Sequence, residues 1–555
     1  MECTWNRPIS TKRRKRNAVV APPPPRGRPA PLLGRLHFAG RHLGEISLHN
    51  GMPFLSWEGR MWIASRTGDP APFKAVCEAA ESILQRHHLH PSMLCGTAAQ
   101  PNLDLPDRKA IEEALCMYSA TPFKRIWPVI DAVLFQQTIE VAYNPQTACL
   151  QEWATAKACI FAFLALLAIH HKYPPSLPIL DGEECAVKAQ CLLAQVLQET
   201  TLVGLQTCFL LALYHLMLGQ LQKAAVYNSL ACRMLFTLGG HTIVVPLPKS
   251  PPSLDWRYDN QLRKMFWMLY SCDKEISLRT GQPPSINDDD CDLTLPHGYV
   301  EAKYLEEDMQ EADAALLNDT AVPLFPGDLR LDMLKSKTYQ LLYSARALRK
   351  SDAELIRDIR ELDDELEAWR LAVPPTFRPW LSLRHDQPTS MSELRHMERV
   401  MVYVEYHRLI AAIHAATGRC SSWSTDKPFE MPEGVGSSMA LAVEASRSTL
   451  FFIKAIVQNL MGEVFWMAVI YPISAVWTIF CNIIYNPMHA HVDGDLELLN
   501  WVPQLIQDMR KRRLARDEMV HMRMIDDFVA ELARLAGEAV KKARRDHRSA
   551  SSASS

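Results

Sequence analysis

The sequence holds 14 cysteines in 555 residues, yet it lacks any CxxC pair. Thiolates paired at short spacing are what a structural zinc site needs, so the cysteines do not read as a zinc framework. Their spacing is irregular, and Cys149, Cys159, Cys208, Cys272 and Cys481 fall in apolar helical runs. Free cysteine packs as a small hydrophobe, which predicts buried, reduced thiols. The first thirty residues carry no apolar run, which predicts no signal peptide. Both features point to a reducing compartment, cytosol or nucleus. An excess of one charge is missing as well. The net charge of -2 gives the whole chain no pull toward nucleic acid or an anionic membrane, so such contact would need a local patch. Also absent are GxGxxG, a phosphate-binding P-loop, GxSxG and the kinase signatures, and nothing in the sequence argues for an enzyme.

What is present is helical patterning. Hydrophobic residues make up 48% and charged residues 22%, enough apolar material for a large core. From Phe73 onward, apolar residues recur at three- and four-residue spacing in 73–88, 107–119, 128–143, 147–171, 183–198, 201–218, 220–238 and 258–278. A second helical block covers 329–350, 353–371, 391–417, 437–460, 464–485, 495–507 and 517–545. Prolines and glycines punctuate the pattern, and no sustained two-residue alternation marks a strand. The predicted fold class is all-α: a large multi-helix regulatory domain behind a disordered basic and proline-rich N-terminus. Residues 32–70 read as ordered but mainly irregular, 283–330 as a polar acidic connector, and the serine-rich tail after Arg548 as mobile.

Several local features compete as sites. The uncharged stretch 464–485 is long enough to span a bilayer, but Pro472 splits it and no cationic flank marks its ends, so a buried core helix is expected and no membrane partner. His87, His88 and His90 with Cys95 read as a polar helix end broken by Pro91 rather than a metal site. His407 and His414 lack HExxH spacing, and the three carboxylates of Asp288–Asp290 offer themselves to a divalent cation, against the ordinary acidic turn that the resemblance given below implies. The basic run Lys12, Arg13, Arg14, Lys15 and Arg16 serves nuclear import or contact with phosphates; a solvated charge run is the plainer alternative. No catalytic, cofactor or metal residue is assigned.

Residues 258–296, YDNQLRKMFWMLYSCDKEISLRTGQPPSINDDDCDLTLP, resemble the signature of the fungal-specific transcription factor domain, the middle region of zinc binuclear-cluster regulators. In that family an Arg-containing helix carries Trp-x-x-Tyr-x-x-Asp, then a Gly-x-Pro turn and an acidic stretch ending in Leu-Pro. The matching positions are Arg263, Trp267, Tyr270, Asp273, Gly281, Pro283, Asp290, Leu295 and Pro296, with Lys274 and Gln282 standing where arginine is usual. Residues 105–131, 329–379 and 401–419 agree more weakly. Leu262, Phe266, Leu269, Asp273 and Ile276 share one helical face. Asp273 is therefore a carboxylate at the edge of an apolar stripe, and it must find an arginine, a lysine or backbone amides. A structural ion pair is the plain reading of it, and a ligand-sensing carboxylate the sharper one.

The resemblance implies a nuclear transcription regulator of RNA polymerase II genes, of a pathway or biosynthetic cluster. It divides the chain into a basic, proline-rich remnant and linker at 1–31, a lead-in at 32–100, the middle helical core with its acidic connector at 101–320, a C-terminal helical region at 321–546 and a tail at 547–555. Cys3, in MECTWNRPISTKRRKRN, resembles the last cysteine of the family's six-thiolate zinc cluster, whose other five are absent. One thiolate cannot hold zinc. No cofactor is thus expected in this chain, and zinc and promoter DNA only in a longer parent. Transcription machinery, related regulators, a second copy or a small-molecule effector are the partners this implies. A non-DNA-binding partner or inhibitor of related regulators is the alternative, and a helical enzyme or membrane protein the third. Metal analysis of the purified chain is expected to find no stoichiometric zinc; two zinc ions per chain would contradict the reading.

Overall fold

A computed structural model describes residues 34–47, 51–74, 102–121, 123–144, 149–170, 174–248, 251–304, 321–382, 397–420, 433–457, 465–510 and 516–553, with a few single positions between. Lys12 to Arg16, Cys3, and His87 to Cys95 lie outside the described residues. Three short strands come first: β1 (Arg35–Phe38), β2 (Arg41–Ile46) and β3 (Pro53–Leu55). The helices follow as α1 (Trp57–Thr67), α2 (Arg108–Ser119), α3 (Phe123–Ile126), α4 (Ala132–Tyr143), α5 (Leu150–His170), α6 (Gly182–Cys191), α7 (Leu193–Val196), α8 (Leu202–Met217), α9 (Leu221–Thr237) and α10 (Leu254–Thr280). Beyond these run α11 (Tyr299–Lys303), α12 (Leu329–Thr338), α13 (Asp352–Ala372), α14 (Met397–Ala415), α15 (Glu433–Ile456), α16 (Phe465–Ala468), α17 (Ile470–Tyr485), α18 (Val492–Met509) and α19 (Arg516–Ala553). The all-α expectation holds, with one small sheet added.

That sheet corrects the reading of 32–70 as irregular. The strands pair antiparallel in the order β1-β2-β3, and Ser56 caps α1 by accepting from the Gly59 amide at 3.0 Å. Ala39 and Gly40 both adopt positive φ, the backbone of a two-residue hairpin turn. The strands are only three to six residues long, and register shifts between Leu36 and His37. Such short, irregular strands show no legible alternation.

Two apolar cores form. The first gathers α2 to α10 with Ile286, Tyr299, Phe325, Leu329 and Met467. At its centre α8 is buried almost along its whole length, because a helix apolar all round has no face to offer water. The second gathers α12 to α19. The β1–α1 segment joins this second core although it comes first in sequence: Phe38 meets the Tyr485 ring edge-on at 5.9 Å.

Local breaks in the helices have chemical causes. Of the apolar stretch 464–485, the described residues form α16 and α17, interrupted at Val469 and packed mainly in the second core, with Met467 in the first. Pro472 lacks an amide hydrogen, and its ring crowds the carbonyl four residues earlier. Leu150–Ile169 is also long and apolar enough to cross a membrane, and both windows are mostly buried inside the fold. The single helix expected over 329–350 is instead α12, a π turn at Tyr339–Tyr343 and a 3-10 turn at Ala347–Arg349. Cys159, Cys208, Cys272 and Cys481 are buried free thiols; Cys149 is exposed, its sulfur accepting from the Glu152 amide at 3.4 Å ahead of α5. The tail expected to be mobile is helical through Ala553, with Ser549 and Ser551 hydroxyls donating to the carbonyls four residues back at 3.0 and 2.9 Å.

Two glycines give opposite expectations. A Cβ on Gly59 would stand 2.0 Å from the Leu43 carbonyl oxygen, where β2 backs onto α1, while a Cβ on Gly537 in α19 meets nothing within 4 Å. Gly59→Ala is expected to destabilise by about 1–3 kcal/mol or more. Gly537→Ala is expected to stabilise by about 0.5–1 kcal/mol. Denaturation curves of the two variants beside the parent check both signs.

Candidate functional site

The signature residues fold as a helix and a strap laid back along it. Helix α10 starts at Ser253, whose hydroxyl accepts from the Trp256 amide at 3.2 Å, and stops at Gly281, left-handed at φ 72°. Glycine suits that position because other residues are strained there. The chain then reverses and residues 282–295 return along α10. Asp273 holds the near end, accepting from the amides of Ser285 at 2.8 Å and Ile286 at 3.0 Å. Lys274 donates to the Ile286 carbonyl at 2.5 Å and reaches Asp288 at 3.2 Å, which also accepts from Ser336 at 2.8 Å. Arg263 holds the far end, donating to the carbonyls of Asp292 at 2.7 Å and Thr294 at 2.9 Å while its cation lies 5.1 Å over Trp267. Trp267 and Tyr270 are wholly buried, with their rings 5.7 Å apart edge to face.

Burial pushes the Asp273 carboxyl above its ordinary value, against Lys274 and the two amides. Its partners are those of a structural clamp. Pro283 and Asp290 are exposed on the strap, where Asp290 accepts from Asn287 at 3.3 Å, and Leu295 packs against the first core. Among the described residues no group of three or more His, Cys, Asp and Glu is placed to hold a metal ion. The weaker signature stretches also act as ties. Asp131 caps α4 through the amides of Val133 and Leu134 and meets Arg257 at 2.9 Å. Trp369 donates to Asp328 at 3.1 Å, a carboxylate that Arg330 and the Tyr304 hydroxyl also hold.

At Glu275, the residue after Lys274, α10 enters a buried charge cluster that the sequence reading missed. Glu275 accepts from Arg279 at 2.7 Å and from Arg408, and lies 3.3 Å from Lys335. Lys335 also meets Asp332 at 2.9 Å and Glu405 at 3.3 Å. Ser271 donates to Asp332, and Arg408 lies 5.7 Å over the Tyr471 ring. Arg279 continues to the carbonyl of Met467 at 2.8 Å. Three carboxylates and three cations from α10, α12 and α14 thus neutralise one another where the two cores meet. The signal was present in sequence: Glu275/Arg279, Asp332/Lys335 and Glu405/Arg408 are acid–base pairs three or four residues apart on largely apolar faces.

The charges are not equivalent. Burial would raise Glu275, but Arg408, Lys335 and Arg279 hold it well below the carboxylate range. Glu405 is pushed up to about 7, by burial first, with Asp332 and Glu275 adding to the rise that Lys335 opposes.

Other groups offer less. His414 stands 3.3 Å from both Ser438 and Asp363, a Ser–His–Asp sequence of contacts, but Ser438 and His414 are buried in the fold. His407 is bonded to the Trp380 carbonyl at 2.7 Å, and burial pushes it down to about 4. One cleft, about 30 Å³ and thus the size of a single water, is lined by Leu216, Gly219, Arg279, Trp466 and Ile470 at the junction of the cores. The other is a shallow surface dish on α1.

A carboxyl whose folded pKa is raised favours the folded state while protonated. The native state then binds more protons than the unfolded chain between about 4.5 and about 7, so its contribution falls as pH rises through that window. Buried neutral histidines titrate in the opposite sense over part of the same range, so the comparison must be differential. Glu405→Gln is expected to remove this fall: the difference in stability between parent and variant changes between about pH 5 and 7 and is flat above and below. Denaturation midpoints across pH check it, and parallel curves would contradict the assignment.

Comparison with known proteins places α10 inside a family match. Residues 187–371 match the family described as Fungal specific transcription factor domain, a stretch containing α10, its strap and the α12 part of the charge cluster. The chain is 25% identical, over 84% of its length, to an ABC-transporter-regulating transcription factor of Aspergillus fumigatus, and equally so to one of Aspergillus oryzae. It spans about half the length of each of these, 51%. It is also 23% identical to the Fusaridione A cluster transcription factor fsdR of Fusarium heterosporum, over 46% of each chain.

Proposed function

From a chain that carries a fungal specific transcription factor domain, we propose that these helices are the regulatory body of a nuclear transcription regulator. Its output passes through contacts with the transcription machinery or with related regulators. Reading promoter DNA is assigned to a zinc module distinct from these helices; Cys3 resembles the last thiolate of such a module, and Lys12 to Arg16 resemble the linker that follows it. Relatives whose names cite an ABC transporter and the fusaridione A cluster support control of a pathway or gene cluster. The division near residue 320 into a middle and a C-terminal helical region is part of the same proposal.

The observation that carries the reading is the family match at 187–371 falling on a helix whose signature residues are spent on packing and clamping. A body of this kind works by holding or releasing a surface, and the Asp273 clamp is one place where α10 and its strap are joined. Fusion of the chain to an unrelated DNA-binding module is expected to change transcription of a reporter bearing that module's site. Asp273→Ala leaves the amides of Ser285 and Ile286 without their acceptor and is expected to shift the output at equal protein level. A fusion that leaves the reporter at the level of the module alone would remove the reading.

A further inference from the structure

The last turns of α19 leave the core. Val540 is the final buried residue of the helix, and every residue from Arg545 to Ser552 is exposed. Between Lys541 and Arg548 the sequence KKARRDHR places five cations, Lys541, Lys542, Arg544, Arg545 and Arg548, against one carboxylate, Asp546. Two of the cations moor the helix: Lys542 donates to the Ser65 carbonyl of α1 at 2.7 Å, and Arg544 meets Asp493 of α18 at 2.7 Å. Lys541, Arg545 and Arg548 stand at i, i+4 and i+7, a stripe along one face about 10 Å long. Lys541 pairs with Glu538 at 3.1 Å but keeps most of its side chain in solvent.

This extension contributes nothing to the apolar core. A helix polar on every side, with no packing of its own, is marginal in water. Its composition says which partner would complete it. Protein interfaces have an apolar centre and are poor in lysine. After Val540 no described residue of α19 is more apolar than alanine. Arginine and lysine without an apolar anchor suit an array of phosphates, where each contact releases a condensed counterion. We propose that the Lys541–Arg548 face of α19 is a sequence-blind contact for the phosphate backbone of duplex DNA. It lies on an element different from the basic run at 12–16, and it does not depend on whether the helical body is regulatory. A basic face of this kind would hold the body on DNA without reading bases.

The test uses the full chain with Lys12, Arg13, Arg14, Lys15 and Arg16 changed to alanine, so that the N-terminal run does not mask the helix. Binding of a labelled duplex of arbitrary sequence is followed by fluorescence anisotropy between about 50 and about 200 mM salt. In this background the chain is expected to bind, with affinity falling as salt rises. Adding Lys541→Ala, Arg545→Ala and Arg548→Ala is expected to weaken binding roughly tenfold or more at the lower salt and to reduce the log–log salt slope by about 3. Arg545→Lys with Arg548→Lys, which keeps the charge, is expected to bind nearly as the background does, and circular dichroism is expected to be the same for all three proteins. No duplex binding in the background, or none lost in the alanine variant, overturns the proposal. Binding of labelled polyglutamate that the alanine variant loses, with duplex binding unchanged by the same substitutions, also overturns it and assigns the face to an acidic protein.

Discussion

The arrangement rests on one exchange of charge inside the molecule. Glu275, Asp332 and Glu405 face Arg279, Lys335 and Arg408 in a region that water does not reach freely. Each of these ions would be costly alone, and the ion pairs between them offset that cost, although one oxygen each of Glu275 and Glu405 accepts no hydrogen bond. Because the partners come from α10, α12 and α14, the cluster requires the end of the first core and the start of the second to meet in one register. An apolar contact in the same place would tolerate sliding, whereas a set of hydrogen-bonded ions does not.

The rest of the signature helix fits that constraint. Its middle part, Trp267 and Tyr270, is buried in the first core, and Asp273 and Lys274 bind the strap. Its last two turns carry Glu275 and Arg279 into the junction, where Arg279 meets the carbonyl of Met467 ahead of α17. One helix of 27 residues therefore serves three contacts in succession, packing, clamping and joining. This explains how a sequence stretch can be specific without being catalytic: each kind of contact demands its own residue type at its own spacing.

Part of this was legible beforehand. The apolar stripe through Leu262, Phe266, Leu269 and Ile276 follows from helical spacing alone, and Asp273 on the edge of it had to find donors. Which donors it found was not legible, since the amides of Ser285 and Ile286 reach it only when the chain reverses at Gly281. The β1–β3 sheet was missed because a three-residue strand shows no period. The helical tail beyond Arg548 was missed because serine hydroxyls can bond back to the helix as readily as they can loosen it.

By itself the sequence determined the helical class and the apolar stretch 464–485 as a core helix rather than a membrane span, since each depends on the pattern within one segment. Tertiary structure alone decided that β1 and α1 pack with the second core, that three acid–base pairs from distant helices form one cluster, and that burial in it pushes the Glu405 carboxyl up. These follow from which segments meet across hundreds of residues, and the local period of a chain carries no record of its distant neighbours.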